Sequence, residues 1–165
     1  MPGDGPGDAG RLGWHTVADP TAGLGYRDFR RPRTGERLEM LVAGRPARQD
    51  ERPALCRRGM HADASPAGAR RWRRDGRSRL CLVLVQGTGP APGASRMARG
   101  DEKFVGRSRT VLASWSWDHV DRILREELRA PRWSSGGTTA WGRAERRLLA
   151  SAFGLRGAGR SGRRT

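Results

Sequence analysis

The run LCLVLV at residues 80–85 holds six apolar side chains without a charge or a break. A run this short, rich in branched side chains and without alternation, fits a strand buried on both faces at the centre of a sheet. Elsewhere apolar residues are sparse, at 35% of 165 residues, with a mean hydropathy of −0.76. The core must therefore be built from a few concentrated segments, with much of the remainder in loops or tails. A chain of this length supports one domain with a core and is too short for two ordinary ones.

Other segments arrange themselves around that strand. Residues 1–10 are mostly Gly, Pro and Asp and read as a disordered leader. LGWHTV (12–17) and RLEMLVAG (37–44) are strand candidates, and Leu41 blurs the alternation of the second. DEKFVGRSRTVLASW (101–115) reads as a strand from Phe104 onward, bent at Gly106. SWDHVDRILREELRAP (116–131) has a helical period, with Ser116 as cap, Trp117, Val120, Ile123, Leu124 and Leu128 on one face, and Pro131 as stop. A second amphipathic helix is expected in TTAWGRAERRLLASAFG, with Trp141, Leu148, Leu149, Ala152 and Phe153 inward and Gly154 as C-cap. These segments predict a single small α+β domain over 11–131, with a mixed or mostly antiparallel sheet of four to six strands and two or three helices. Residues 132–154 would form a linker and a C-terminal amphipathic helix, and 155–165 a basic flexible tail.

The formal charge of +16 first suggests an anionic partner. Of the 33 basic residues, however, only Lys103 is lysine, and the arginines fall nearly everywhere along the chain. With 24 glycines beside them, this resembles the codon bias of a GC-rich genome. Weak, nonspecific attraction to nucleic acid through the arginines at low salt is the expectation. The two cysteines stand 25 positions apart, which makes neither a disulfide framework nor a zinc ribbon. The first residues contain no apolar run suited to a secretory signal, and no 18-residue apolar stretch is present to span a bilayer. A reduced, soluble cytoplasmic protein without a membrane partner is expected.

LCRRGMHADASP (55–66) is the one place where Cys, Gly and His gather. Its residues read as a strand end at Leu55–Cys56, a glycine turn at Gly59 and a helix start at Ser65–Pro66, whose hydroxyl and proline suit the N-cap and first turn. The helix SPAGARRWRR would turn Ala69 and Trp72 inward. A zinc site could draw on His15, Cys56, His61 and Cys81, with Cys56 and His61 the closest pair in sequence, but burial of both cysteines is the simpler reading and neither metal nor cofactor is expected. A Cys56 nucleophile lacks an evident acid to orient its histidine. The glycines of GTGPAPGAS (87–95) are not followed by GK[ST], which argues against a phosphate-binding loop. A single retained lysine at 103, beside Asp101 and Glu102, hints that a compact ammonium is needed there.

The order of these segments, Trp14-His15, LCRRGMHADASPAGARRW, the Cys81 strand and DEKFVGRSRTVL, resembles a domain family of actinobacterial and phage proteins that has no established activity. The resemblance covers residues 14–128; Glu102 stands where that family usually has aspartate, and Trp72 where it has tyrosine. It implies motif positions at Trp14, His15, Cys56, Gly59, His61, Ala62, Pro66, Ala69, Trp72, Cys81, Asp101, Lys103, Val105 and Arg109. The layout is also similar, by analogy of fold alone, to ADP-ribosyltransferases, with His15, His61 and Glu102 as the catalytic candidates. A non-catalytic binding or interaction domain, with its site around His15, His61, Lys103 and Arg109, is the first expectation. An ADP-ribosyltransferase-like enzyme, active or degenerate, is the alternative, and an arginine-rich nucleic-acid binder the second alternative.

Overall fold

The structure, a computed structural model, describes residues 10–17, 33–53, 59–74, 76–88, 103–130 and 138–155. Its elements are β1 (Arg11–Val17), β2 (Arg37–Glu39), β3 (Leu41–Val42), β4 (Arg45–Pro46), β5 (Met60–Asp63), α1 (Pro66–Arg70), β6 (Arg79–Gln86), β7 (Lys103–Gly106), β8 (Ser108–Ser116), α2 (Trp117–Arg129) and α3 (Ala140–Ala152). Six strands form one sheet in the order β2-β8-β6-β1-β5-β7, every pairing antiparallel, and β3 and β4 form a separate two-stranded ribbon. The α+β class is thus met, with an antiparallel sheet. By internal contacts the chain divides into two compact units, Met1–His119 and Val120–Thr165.

The apolar run lies where its composition places it. β6 sits between β1 and β8, and Leu80, Cys81, Leu82, Val83 and Val85 are all fully buried. Its register with β1 sets His15 opposite Cys81 and Trp14 opposite Leu82. Against β8, Leu82 faces Ala113 and Val83 faces Val111, so Leu112 is the extra residue of a bulge.

The sheet is rolled rather than flat. In strand order β7 and β8 lie on opposite sides, with β6, β1 and β5 between them. A flat sheet would hold them about 19 Å apart, at roughly 4.8 Å per strand. Only Arg107 separates β7 from β8 in the chain, so β6, β1 and β5 must curl until β7 and β8 meet. At the seam, the Arg107 amide donates to the Gln86 carbonyl of β6 at 2.8 Å. A Cβ on Gly106 would collide with that same carbonyl and with Val85, so the close approach requires glycine. The bend expected at Gly106 is this seam.

Rolling gives the sheet an inner and an outer face. Val17, Ala62, Cys81, Val83, Val85, Phe104 and Val111 form a buried cluster inside, the valines and Phe104 each contributing roughly 1.5–3 kcal/mol by leaving water. α1 covers part of the outer face. Ser65 caps it by accepting from Gly68 N at 3.1 Å, Pro66 opens it, and the buried Thr16 hydroxyl of β1 donates to the Ala69 carbonyl at 2.6 Å.

Several expectations are corrected. Residues 37–44 are not one strand: Met40 is buried at 2% exposure while Leu41 is 51% exposed, and the chain turns out of the sheet into the β3–β4 hairpin. The Arg107 guanidinium holds the segment after that hairpin through the carbonyls of Ala47, Arg48 and Glu51, at 3.2, 2.7 and 2.6 Å. Residues 60–63 are a strand, not merely a turn leading to a helix, and Gly59 precedes it with a φ of +115°, a backbone that suits glycine. Leu55 and Cys56 lie outside the described residues. α1 ends at Arg70, so Trp72 falls beyond it and is 42% exposed instead of inward.

In the second unit, α3 is capped by Thr139, which accepts from Gly142 N at 3.1 Å. Arg143 pairs with Glu127 at 2.9 Å, and Arg147 with Glu126 at 2.8 Å and Glu127 at 3.0 Å. Ala144 and Leu148 are buried as the period requires, but Leu128 and Phe153, both expected inward, are exposed. α2 itself opens as expected, the Ser116 hydroxyl accepting from His119 N at 3.3 Å. Among the described residues, no helix is long and apolar enough to cross a membrane.

Candidate functional site

The rolled sheet brings the four residues His15, His61, Lys103 and Arg109 within electrostatic reach of one another, from both of its faces. His15 pairs across with Cys81, and Cys81 with Ser114, so these three share the inner face. Arg109, opposite Val85 on β8, also points inside. It is only 3% exposed, and its Nη1 donates to the His61 carbonyl on β5 at 3.0 Å. A guanidinium from one wall of the roll thus grips the backbone of another, a bond that exists only because the sheet curls.

This interior sets the chemistry of its groups. Burial is the main cause that drives the His15 pKa well below its ordinary value, and the positive charges of Arg109, His61 and Lys103 push it further down. His15 is therefore a neutral imidazole near pH 7, able to donate and accept hydrogen bonds but a weak base. Burial likewise pushes the Cys81 thiol up to about 12, against the opposing pull of Arg109 and Arg79. Cys81 stays protonated and is neither a nucleophile nor a ready metal ligand.

The outer face carries a second set. Asp63 stands opposite Trp14 on β1 and Lys103 on β7, and His61 lies two residues before it on the same face. The Asp63 carboxylate is buried and accepts from Arg71 Nη2 at 3.1 Å. The Trp72 side chain also hydrogen-bonds to Asp63. Lys103 Nζ sits 3.4 Å from the centre of the Trp72 ring, a cation–π contact. Burial raises the Asp63 pKa, an effect outweighing the hydrogen bond from Arg71 and the charges of Lys103 and Arg71. His61 is lowered, first by burial and then by Lys103. The described cluster holds three permanent cations, Arg71, Lys103 and Arg109, against the one carboxylate of Asp63.

Of the catalytic candidates, His15 lies on the inner face and His61 on the outer, while Glu102 and the metal candidate Cys56 lie outside the described residues. Among the described residues, no group of three or more His, Cys, Asp or Glu side chains is arranged to hold a metal ion. The sequence reading missed Asp63 and Arg71, and it took Trp72, a motif position, to be an inward helix residue. Asp63 carried a signal, since it follows His61 and Ala62 with the alternation of a strand. Arg71 carried none, being one arginine among many.

The fold and site together define an α+β protein with a rolled antiparallel sheet and a predominantly cationic cluster spanning its two faces. No protein-family model, no curated protein and no solved structure matches the chain.

Proposed function

We propose that this protein is a non-catalytic binding domain whose ligand presents a compact anionic group, phosphate or carboxylate, to the outer-face cluster of Lys103, His61 and Arg71. The observation that carries this reading is the setting of Lys103. The only lysine of the chain is held over an exposed indole, beside a carboxylate already engaged by Arg71. A lysine ammonium is a point charge that accommodates an anion without the planar geometry a guanidinium demands. The neighbouring groups favour binding over turnover, because His15 is a weak base and the Cys81 thiol is protonated. The ADP-ribosyltransferase-like alternative ranks second, since it needs His15 and His61 to converge with Glu102 on one cleft, and the two histidines lie on opposite faces.

The test is calorimetric titration of the full chain with inorganic pyrophosphate and with ADP-ribose, together with incubation with NAD. Saturable binding, weakened about tenfold or more in Lys103→Met, is expected, as loss of a charge-assisted contact costs roughly 1.5–3 kcal/mol. Release of nicotinamide from NAD would contradict a non-catalytic role, and so would binding that Lys103→Met leaves unchanged.

A further inference from the structure

We infer that His61 takes up a proton when the outer-face site takes its anion, so that the anion is held by an imidazolium as well as by the Lys103 ammonium. The inference rests on the anion-binding reading above and adds to it the charge state in which the site works.

The placement of His61 carries it. On β5 the residue shares the outer face with Asp63, and Val105 stands opposite on β7, which makes Lys103 its diagonal neighbour. Diagonal partners lie roughly 7–8 Å apart, within reach of a long side chain. From the inner side, the Arg109 guanidinium is fixed on the carbonyl of His61 itself at 3.0 Å. The half-buried imidazole therefore stands between two permanent cations. Burial and the charges of Lys103 and Arg109 all oppose a further positive charge on the ring and hold its pKa below the ordinary value.

Two groups on its own segment act the other way. A hydrogen bond with the Gly59 backbone and the charge of Asp63 both favour the protonated ring. The remaining charged groups of the elements packed against β5 are placed differently. Arg71, beyond α1, binds Asp63 at 3.1 Å, Arg11 of β1 lies over the Phe104 ring, Arg79 of β6 donates to Ser114, and Arg70 of α1 is exposed. His15 of β1 and Cys81 of β6 face the interior of the roll. The balance at His61 is thus between Lys103 and Arg109 on one side and Gly59 and Asp63 on the other.

An anion at Lys103 tips that balance. Its charge offsets the ammonium that keeps His61 neutral, and the proton in turn strengthens the hold on the anion, since linkage is reciprocal. For an anion whose own charge stays constant, affinity therefore rises as the pH falls. Pyrophosphate brings more negative charge than one proton returns, so the positive field at His15 weakens as well.

The test follows the ring protons of the three histidines by NMR from about pH 5 to 8, in the full chain alone and with saturating pyrophosphate. His15→Gln, His61→Gln and His119→Gln assign the signals. The expected result is that the His61 midpoint rises by about one pH unit when pyrophosphate binds, which corresponds to about tenfold tighter binding by the protonated site. In Lys103→Met without ligand, that midpoint should already stand above the parent's, because a charge opposing protonation is gone. Saturable binding that leaves the His61 midpoint unmoved would overturn the inference while the anion-binding reading stands, and so would a rise at His15 alone. An unchanged ligand-free midpoint in folded Lys103→Met would also overturn it. Absence of saturable binding would overturn both the inference and the reading beneath it. The deciding comparison is made on the unsubstituted chain, so it does not depend on any variant folding.

Discussion

His15 and Arg109 show how a residue's chemistry follows from the curvature around it. Neither is unusual in sequence, yet inside the roll one becomes a neutral imidazole and the other a buried guanidinium bonded to a distant carbonyl. The consequence for stability has a definite sign. The folded pKa of His15 lies below the unfolded value of about 6.5, so below that pH the unfolded chain holds more protons than the folded one. Stability from this group is complete above about pH 6.5 and is lost as the pH falls toward the folded value. His61 acts in the same direction with less weight, being less deeply enclosed. Asp63, whose pKa burial raises, acts oppositely. Denaturant midpoints measured from pH 7 to pH 5 should fall, by at most about 1.4 kcal/mol per pH unit for each histidine. His15→Gln should flatten that slope; an identical slope in the variant would show that His15 titrates freely in the fold.

At the scale of elements, legibility depended on whether a segment's packing partner was local. LCLVLV needed only its own composition to be recognised as a central strand, and the helix caps at Ser65 and Ser116 needed only the next turn. MHAD was missed as β5 because four residues beside a glycine carry too little pattern to outweigh a turn signal. Leu128 and Phe153 were misjudged because apolar spacing shows which face a side chain is on but not how far the covering layer extends, and Trp72 because α1 ends at Arg70, before the helical period reaches it. The break at Met40 was visible as the blurred period at Leu41, although nothing local named the hairpin that follows. In that hairpin Ala43 has a φ of +50° and Gly44 of +79°, the backbone of a type I′ turn, which favours Asn-Gly over Ala-Gly. Ala43→Asn should therefore stabilise the fold by about 0.5–1 kcal/mol. Thermal unfolding checks this, and a lower melting temperature would contradict the turn assignment.

For the whole molecule, the decisive feature is that β7 and β8 are nearly one strand, pairing with β5 at one end and β6 at the other. No window of sequence contains that information, since the seam depends on where β6 ends as much as on Gly106. The division of His15, His61, Lys103 and Arg109 between two faces was not legible in the sequence, because it is set by register. The arginine content also acquires physical meaning. Arg107 and Arg109 donate to backbone carbonyls, Arg79 to both oxygens of Ser114, and Arg45, Arg71, Arg143 and Arg147 pair with carboxylates. Much of the positive charge therefore serves the fold, and what is left for a ligand is local. The central claim is that Lys103, His61 and Arg109 set a positive field around His15 that a bound anion would offset. It is tested most directly by following the His15 ring protons by NMR across pH, with and without saturating pyrophosphate. A low His15 pKa that rises when pyrophosphate binds, and rises less in Lys103→Met, is the predicted result; a titration curve that pyrophosphate leaves unmoved would contradict the account.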